Sequence, residues 1–300
     1  MFKLDKGQLR WLAMLTMVLD HFAEMFLKPG LEERSEILTN LHLSQPVAEA
    51  LCSIFISLGT FTGTVMLYFL IEGYFYTKDL KKYMLRLLLF GAISQIPFYM
   101  AFRLPALNML FTLAVCLSAI YVHYNVPDSG KKNLMIIGLF FINCFSDWTI
   151  MAVPITLFLC EAFVPVAENQ RTLQNQQTVL IQHDMQNQQT VNGQAIKSAH
   201  GFKVNQDRLK ISWIKSFVIM LIIHVVSLES FLKGASITIG FVLAAVLLTF
   251  VYDGGMSKTS DRPTNIDTFS YFKKYGFYVF YPLHLVVLSV IYNSLNNFLK

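Results

Sequence analysis

The chain has 300 residues, of which 54% are hydrophobic, 26 are phenylalanine and only 14% are charged. Soluble domains run near 25% charged, so the composition excludes an ordinary soluble globule, a disordered chain and a coiled coil. A mean hydropathy of +0.48 places the chain in lipid, and its four cysteines, all in apolar surroundings, frame no secreted disulfide scaffold.

The first apolar stretch, Leu9–Leu27, lacks the short core and small-residue cleavage site of a removed leader, and is read as a span. The segment Leu31–Glu49 follows, long enough for a short interfacial helix with Pro46 near its end. Further spans are expected at about Leu51–Tyr76, Met84–Phe102, Leu107–His123, Leu134–Phe145 and Thr149–Val164. Ser94, Gln95 and Pro97 interrupt the third, and with Asn108 predict a broken hairpin lining a cavity. The fifth is short enough for a half-span or a tilted helix. Three more spans follow at about Ile211–Leu232, Ala235–Tyr252 and Phe277–Leu299. The expected fold is an all-α polytopic membrane protein, a bundle of about nine transmembrane helices.

Loop charges orient the bundle. With the N-terminus cytoplasmic, 19 of the 24 basic residues fall on the inner side. Only Lys28, Arg34, Arg103, Lys233 and Lys300 fall outside, which predicts an N-in, C-out topology. The net charge of +5 is thereby a topology signal, and no nucleic-acid partner is expected. Residues 165–210 are rich in Gln and Asn and repeat QNQQTV at Gln174–Val179 and Gln186–Val191. They read as a flexible cytoplasmic loop interrupting a single domain that covers residues 1–300.

An ionisable group inside a span needs a partner, water or a purpose. Asp20, His21 and Glu24 share one polar arc of the first span, and His21 lies about 16 Å beyond Arg10, near mid-membrane. A histidine beside a carboxylate is the arrangement of an oriented general base; interhelical hydrogen bonding is the structural alternative. His284, in Tyr281-Pro282-Leu283-His284-Leu285, has a similar depth, and His224 could join the same chamber. Glu72, Lys82 and Arg86 belong near the cytoplasmic face, where Arg86 either holds a phosphate or marks the interface. Asp147-Trp148 reads as an anchored outer turn, and Gly59-x-x-x-Gly63 as helix packing. No metal-ligand spacing, phosphate loop, dinucleotide fingerprint or nucleophile elbow is present, so no metal site is expected.

Several ordered segments resemble the TraX family: Leu4-Asp5, Leu9–Ala13 with Met17, Asp20 and His21, then Tyr83–Pro97 and Leu107–Leu113. Asp147-Trp148, Tyr252-Asp253-Gly254-Gly255 and Phe280–Leu285 continue the resemblance to the end of the chain, Asp253 standing where the family has asparagine. The resemblance implies a polytopic protein of the bacterial inner membrane, related to N-acetylation of conjugative pilin. It also resembles membrane acyltransferases that place a basic residue before a histidine in the first span, here Arg10 and His21.

The implied reaction takes acetyl-CoA or another acyl-CoA as donor, with Lys82 and Arg86 as phosphate contacts. His21, supported by Asp20 or Glu24, would deprotonate an amine or hydroxyl, and His284 would assist at the thioester, the acceptor or the leaving group. A histidine-linked acyl relay is the two-step version. The acceptor would be a membrane-associated protein, a lipid-linked molecule or a cell-surface polymer. A proton-coupled transporter or flippase and a noncatalytic assembly protein are the competing classes.

Overall fold

The computed structural model describes residues 3–33, 43–165, 202–226, 231–252 and 268–298. Asp5 starts the first helix through a reciprocal cap: its carboxylate accepts from the Gln8 amide at 2.8 Å, and the Gln8 side chain accepts from the Asp5 amide at 3.0 Å. The helix α1 (Lys6–Phe22) widens into a π-helical turn at Ala23–Leu27 and continues as α2 (Lys28–Glu33). Then come α3 (Gln45–Tyr76), α4 (Leu80–Phe102), α5 (Met109–Asn125), α6 (Ser129–Asn143) and α7 (Ala152–Cys160). Strands β1 (Phe163–Pro165) and β2 (Phe202–Val204) pair antiparallel, and the chain ends in α8 (Gln206–Val226), α9 (Phe231–Val246) and α10 (Thr268–Phe298). A second π-helical turn, Leu247–Val251, extends α9.

All nine expected apolar stretches contain helix, and the fold is all-α apart from the strand pair. Four helical segments among the described residues are long and apolar enough to cross a membrane: Gln45–Tyr76, Leu80–Phe102, Gly234–Val251 and Tyr275–Leu295. Polarity is inverted relative to a soluble protein. Glu72, Asn108, Thr112 and Asn143 are buried, whereas Val225, Leu134 and Phe145 are more than 70% exposed.

The structure corrects several boundaries. Pro46 sits in the first turn of α3, where its missing N–H is harmless, so this helix begins at Gln45 rather than Leu51. Of the segment before it, 34–42 lie outside the described residues. Pro97 stays inside α4, which runs unbroken to the left-handed Arg103 (φ 53°), and the expected broken hairpin is absent here. Gln95 instead braces the following turn, donating to the Ala106 carbonyl at 2.7 Å and accepting from the Asn108 side chain at 2.9 Å.

The sixth expected span shortens to the nine residues of α7, about 14 Å of helix against about 30 Å of hydrocarbon. Its start is displaced by the turn at Ser146–Met151, pinned where the Leu107 amide donates to Phe145 and the Asp147 amide to Leu107, both at 2.8 Å. Its end is held by the Tyr124 hydroxyl, 2.7 Å from the Cys160 carbonyl and 3.0 Å from that of Phe163. The 165–210 loop is narrower than expected, because its ends form β1, β2 and the first turns of α8. Its repeats lie outside the described residues.

Helix α3 is the centre, packing against α1, α5, α7 and α9. Small residues let these helices approach closely. Gly240 on α9 lies against the Ser57 carbonyl with no room for a Cβ, and Gly63 receives the Trp148 ring. The Thr16 and Thr62 hydroxyls meet at 2.6 Å between α1 and α3. Deeper toward the N-terminal end, the buried Glu72 carboxylate accepts from Lys6 Nζ at 2.6 Å and from the Tyr252 hydroxyl at 3.0 Å. The first residues follow, the Leu4 amide donating to Val251 at 3.0 Å.

Two outcomes are expected on stability, read from denaturant unfolding in detergent. Gly240→Leu forces α9 off α3 and lowers stability by at least about 1–3 kcal/mol, while Gly138→Ala, whose added carbon meets open space, changes it little. Lys6→Met leaves a buried carboxylate without its cation and costs about 3–5 kcal/mol, more than Glu72→Gln, which removes the charge that needs it.

Candidate functional site

His21 and His284 meet although 263 residues separate them. His21 is the penultimate residue of α1, next to the π-helical turn, and His284 is midway along α10. His21 Nδ1 lies 2.7 Å from His284 Nε2, and the rings stack with centroids 4.9 Å apart. Both are buried. Phe102 stands edge-on to His21 at 5.2 Å, and Phe280 stacks on His284 at 5.0 Å.

The hydrogen-bond pattern assigns the tautomers. His284 Nδ1 is 2.9 Å from the Phe280 carbonyl, one turn earlier in α10. A carbonyl only accepts, so His284 Nδ1 carries hydrogen and, in the neutral ring, Nε2 presents its lone pair. His21 Nδ1 therefore donates, and the remaining lone pair of the dyad is on His21 Nε2. That nitrogen faces Asp20, with Oδ2 at 4.0 Å. The final proton-accepting position of the buried pair is thus set by a backbone carbonyl at its other end.

Asp20 folds against Gly59, which has no room for a side chain there. Glu24 is placed differently from the expected arc: its carboxylate takes Lys28 Nζ at 2.7 Å, one turn on. Asp147, read from sequence as an anchor alone, comes within electrostatic reach of Asp20, Glu24 and Tyr281. The inward fold of the α6–α7 turn brings it there, with Trp148 wedged on Gly63. The buried Tyr281 hydroxyl accepts from the Met109 amide at 3.3 Å and ties α10 to the start of α5. His224 packs beside Gly234 on α9 instead of joining the pair. Asp253 lies outside the described residues.

A cavity of about 270 Å³ opens at the Lys6 end of α1, lined by Lys6, Arg10, Phe69, Tyr83, Leu113 and Tyr278 among others. Arg86 flanks it, its guanidinium 5.6 Å from the centre of the Tyr83 ring and within electrostatic reach of Tyr278. Lys82 is turned away, mostly exposed and paired with Asp79 at 3.2 Å. The Lys82 backbone amide caps onto Asp79 as well and holds that carboxyl below its ordinary range. Lys6 and Arg10, not Lys82, are therefore the cations facing the cavity. Their place in the first turns of α1 was visible in the sequence; the cavity between helices was not.

Comparison with known proteins supports the family resemblance over the first half of the chain. The sequence model of the TraX protein family matches residues 5–160, from the cap of α1 to the end of α7. A probable fimbrial assembly protein, FimC of serogroup H1 from Dichelobacter nodosus, is 32% identical over 169 residues, 52% of this chain and 62% of that relative. The chain thus spans about three fifths of the relative's length. No solved structure matches. The family match contains Arg10, Asp20, His21, Glu72 and Asp147, while Tyr252 and His284 reach the same sites from beyond it. With more than half of its length matched, the chain belongs to the TraX family.

Proposed function

We propose that this protein is a membrane acyltransferase of the bacterial inner membrane, moving an acetyl or other short acyl group from acyl-CoA to an amine or hydroxyl. The acceptor is a membrane-associated protein, a lipid-linked molecule or a cell-surface polymer. The observation that carries the reading is the buried His21–His284 hydrogen bond, locked at the Phe280 carbonyl and leaving His21 Nε2 as the base. The arrangement of about nine membrane segments, N-in and C-out, with α7 too short to cross as helix alone, rests on the basic residues of the loops and on the apolar outer surface. Residues 1–300 form one domain in this reading, with the Gln/Asn-rich segment as a cytoplasmic insert.

Acyl-CoA supplies the thioester. Arg10 and Arg86, beside the Glu72-paired Lys6, form the cationic end suited to its phosphates, taking the place first assigned to Lys82. The cavity is small, so it suits phosphate and the narrow arm rather than the whole donor. Arg10 to His21 spans about 16 Å of helix, which separates the phosphate end from the base. His21 Nε2 takes the proton from the acceptor as its nitrogen or oxygen attacks the thioester carbonyl. The carbon–sulfur bond breaks, and the imidazolium of His21 returns the proton to the thiolate. Asp20 Oδ2, 4.0 Å from Nε2, is the carboxyl group placed to orient the ring while it holds that proton. His284 acts as a positioning residue by fixing the His21 tautomer.

The relative's name favours a second reading, a noncatalytic role in fimbrial assembly. Purified protein with labelled acetyl-CoA and host membrane extract separates the two. Under the enzyme reading, His21→Ala abolishes transfer, and His284→Ala lowers it by about 10²–10⁴-fold, with folding followed separately by thermal unfolding. The wild-type rate falls on the acid side as His21 becomes protonated. Normal transfer by folded His21→Ala removes the base assignment, and a partner captured without transfer from any acyl-CoA favours assembly. Arg10→Gln and Arg86→Gln each raise KM for acyl-CoA by about 10–100-fold with kcat little changed.

A further inference from the structure

On the opposite side of α4 from the histidines' helix partners lies a larger open groove of about 970 Å³. Its floor is α5, which packs against both α4 and α6. One wall is Lys81, Met84, Leu85 and Leu88 of α4, at the spacing of a single helical face. The other is Met135, Gly138, Leu139 and Ile142 of α6, again one face. Ser118 on the floor donates its hydroxyl to the Ala114 carbonyl at 3.0 Å and presents no unsatisfied donor to the groove. A side-chain carbon built on Gly138 would meet nothing within 4 Å, so the channel is open above it.

The two ends differ. At the α3–α4 end, Lys78 and Lys81 line the mouth and make no ion pair among the described residues, while Asp79, which lines it with them, is already matched by Lys82. The rest of the lining is almost wholly apolar. From Leu80 to Leu88 the wall runs about 12 Å, close to half of a hydrocarbon core about 30 Å thick. The groove therefore has the length of one leaflet, with cations only at its headgroup end.

We infer that this groove is a binding site for one anionic phospholipid from the leaflet that bathes Lys78 and Lys81, one of its acyl chains lying over Gly138 and its phosphate held by the two lysines. The site is independent of the histidine pair and of any acyl transfer. Charge complementarity selects the headgroup, and the channel selects a single extended chain.

The test is native mass spectrometry of the full chain released from micelles containing phosphatidylglycerol or phosphatidylcholine with identical acyl chains. The wild type retains one phosphatidylglycerol and releases phosphatidylcholine at lower collision energy. Lys78→Gln with Lys81→Gln weakens phosphatidylglycerol retention about 10–30-fold and removes the headgroup preference. Gly138→Leu fills the channel and weakens both lipids while keeping the preference in what remains. Equal retention of the two headgroups by wild type, or unchanged retention in either folded variant, overturns the proposal. The lysine pair lies at the surface, so that arm stands even where Gly138→Leu disturbs folding.

Discussion

The Glu72 carboxylate sets the arrangement of the bundle. A buried carboxylate in an apolar helix is untenable alone, and here it collects a cation from the first turn of α1 and a phenol from the end of α9. Three helices are thereby tied at one depth. Once Lys6 must reach α3, the rotation of α1 is constrained, and about three to four turns later that rotation directs Thr16 onto Thr62, Asp20 onto Gly59 and His21 toward α10. At the other end of the same helix pair, α9 approaches α3 closely at Gly240, where there is no room for a side chain.

Both π-helical turns stand beside this framework, one after His21 and the other before Tyr252. A π turn shifts the helical register and lets a helix present residues to two partners that a regular α-helix would place on different faces. After His21 the chain turns Glu24 toward Lys28 while His21 keeps its bond to His284. Before Tyr252 the chain ends its helix with the phenol directed at Glu72 and the backbone paired with Leu4.

The histidine dyad differs in kind from the histidine–carboxylate pair expected from the first span alone. In the dyad the orienting group is the Phe280 carbonyl, acting through His284, and Asp20 stands on the far side of His21. A carbonyl cannot change its protonation state at neutral pH, so the tautomer is held by a group that does not titrate. Asp20 stands outside that hydrogen bond, and Asp147 comes within electrostatic reach of it from a turn between helices.

What the sequence determined by itself was where helices form and which polar residues lie deep. Hydropathy and charge are carried by each segment separately, so nine helical stretches could be read singly, and equal depths for His21 and His284 follow from counting residues along each helix. Tertiary structure decided what those residues meet. The partnership of Glu72 with Lys6 and Tyr252, the diversion of Glu24 to Lys28, the inward turn carrying Asp147 and the cavity facing Lys6 and Arg10 rather than Lys82 all depend on how helices rotate against one another. Pro97 and the nine-residue α7 belong with these, because surrounding contacts decide whether a helix tolerates a proline or ends early. Depth along a helix is a one-dimensional property, whereas rotation and contact are settled only when apolar faces pack and each buried polar group finds its partner.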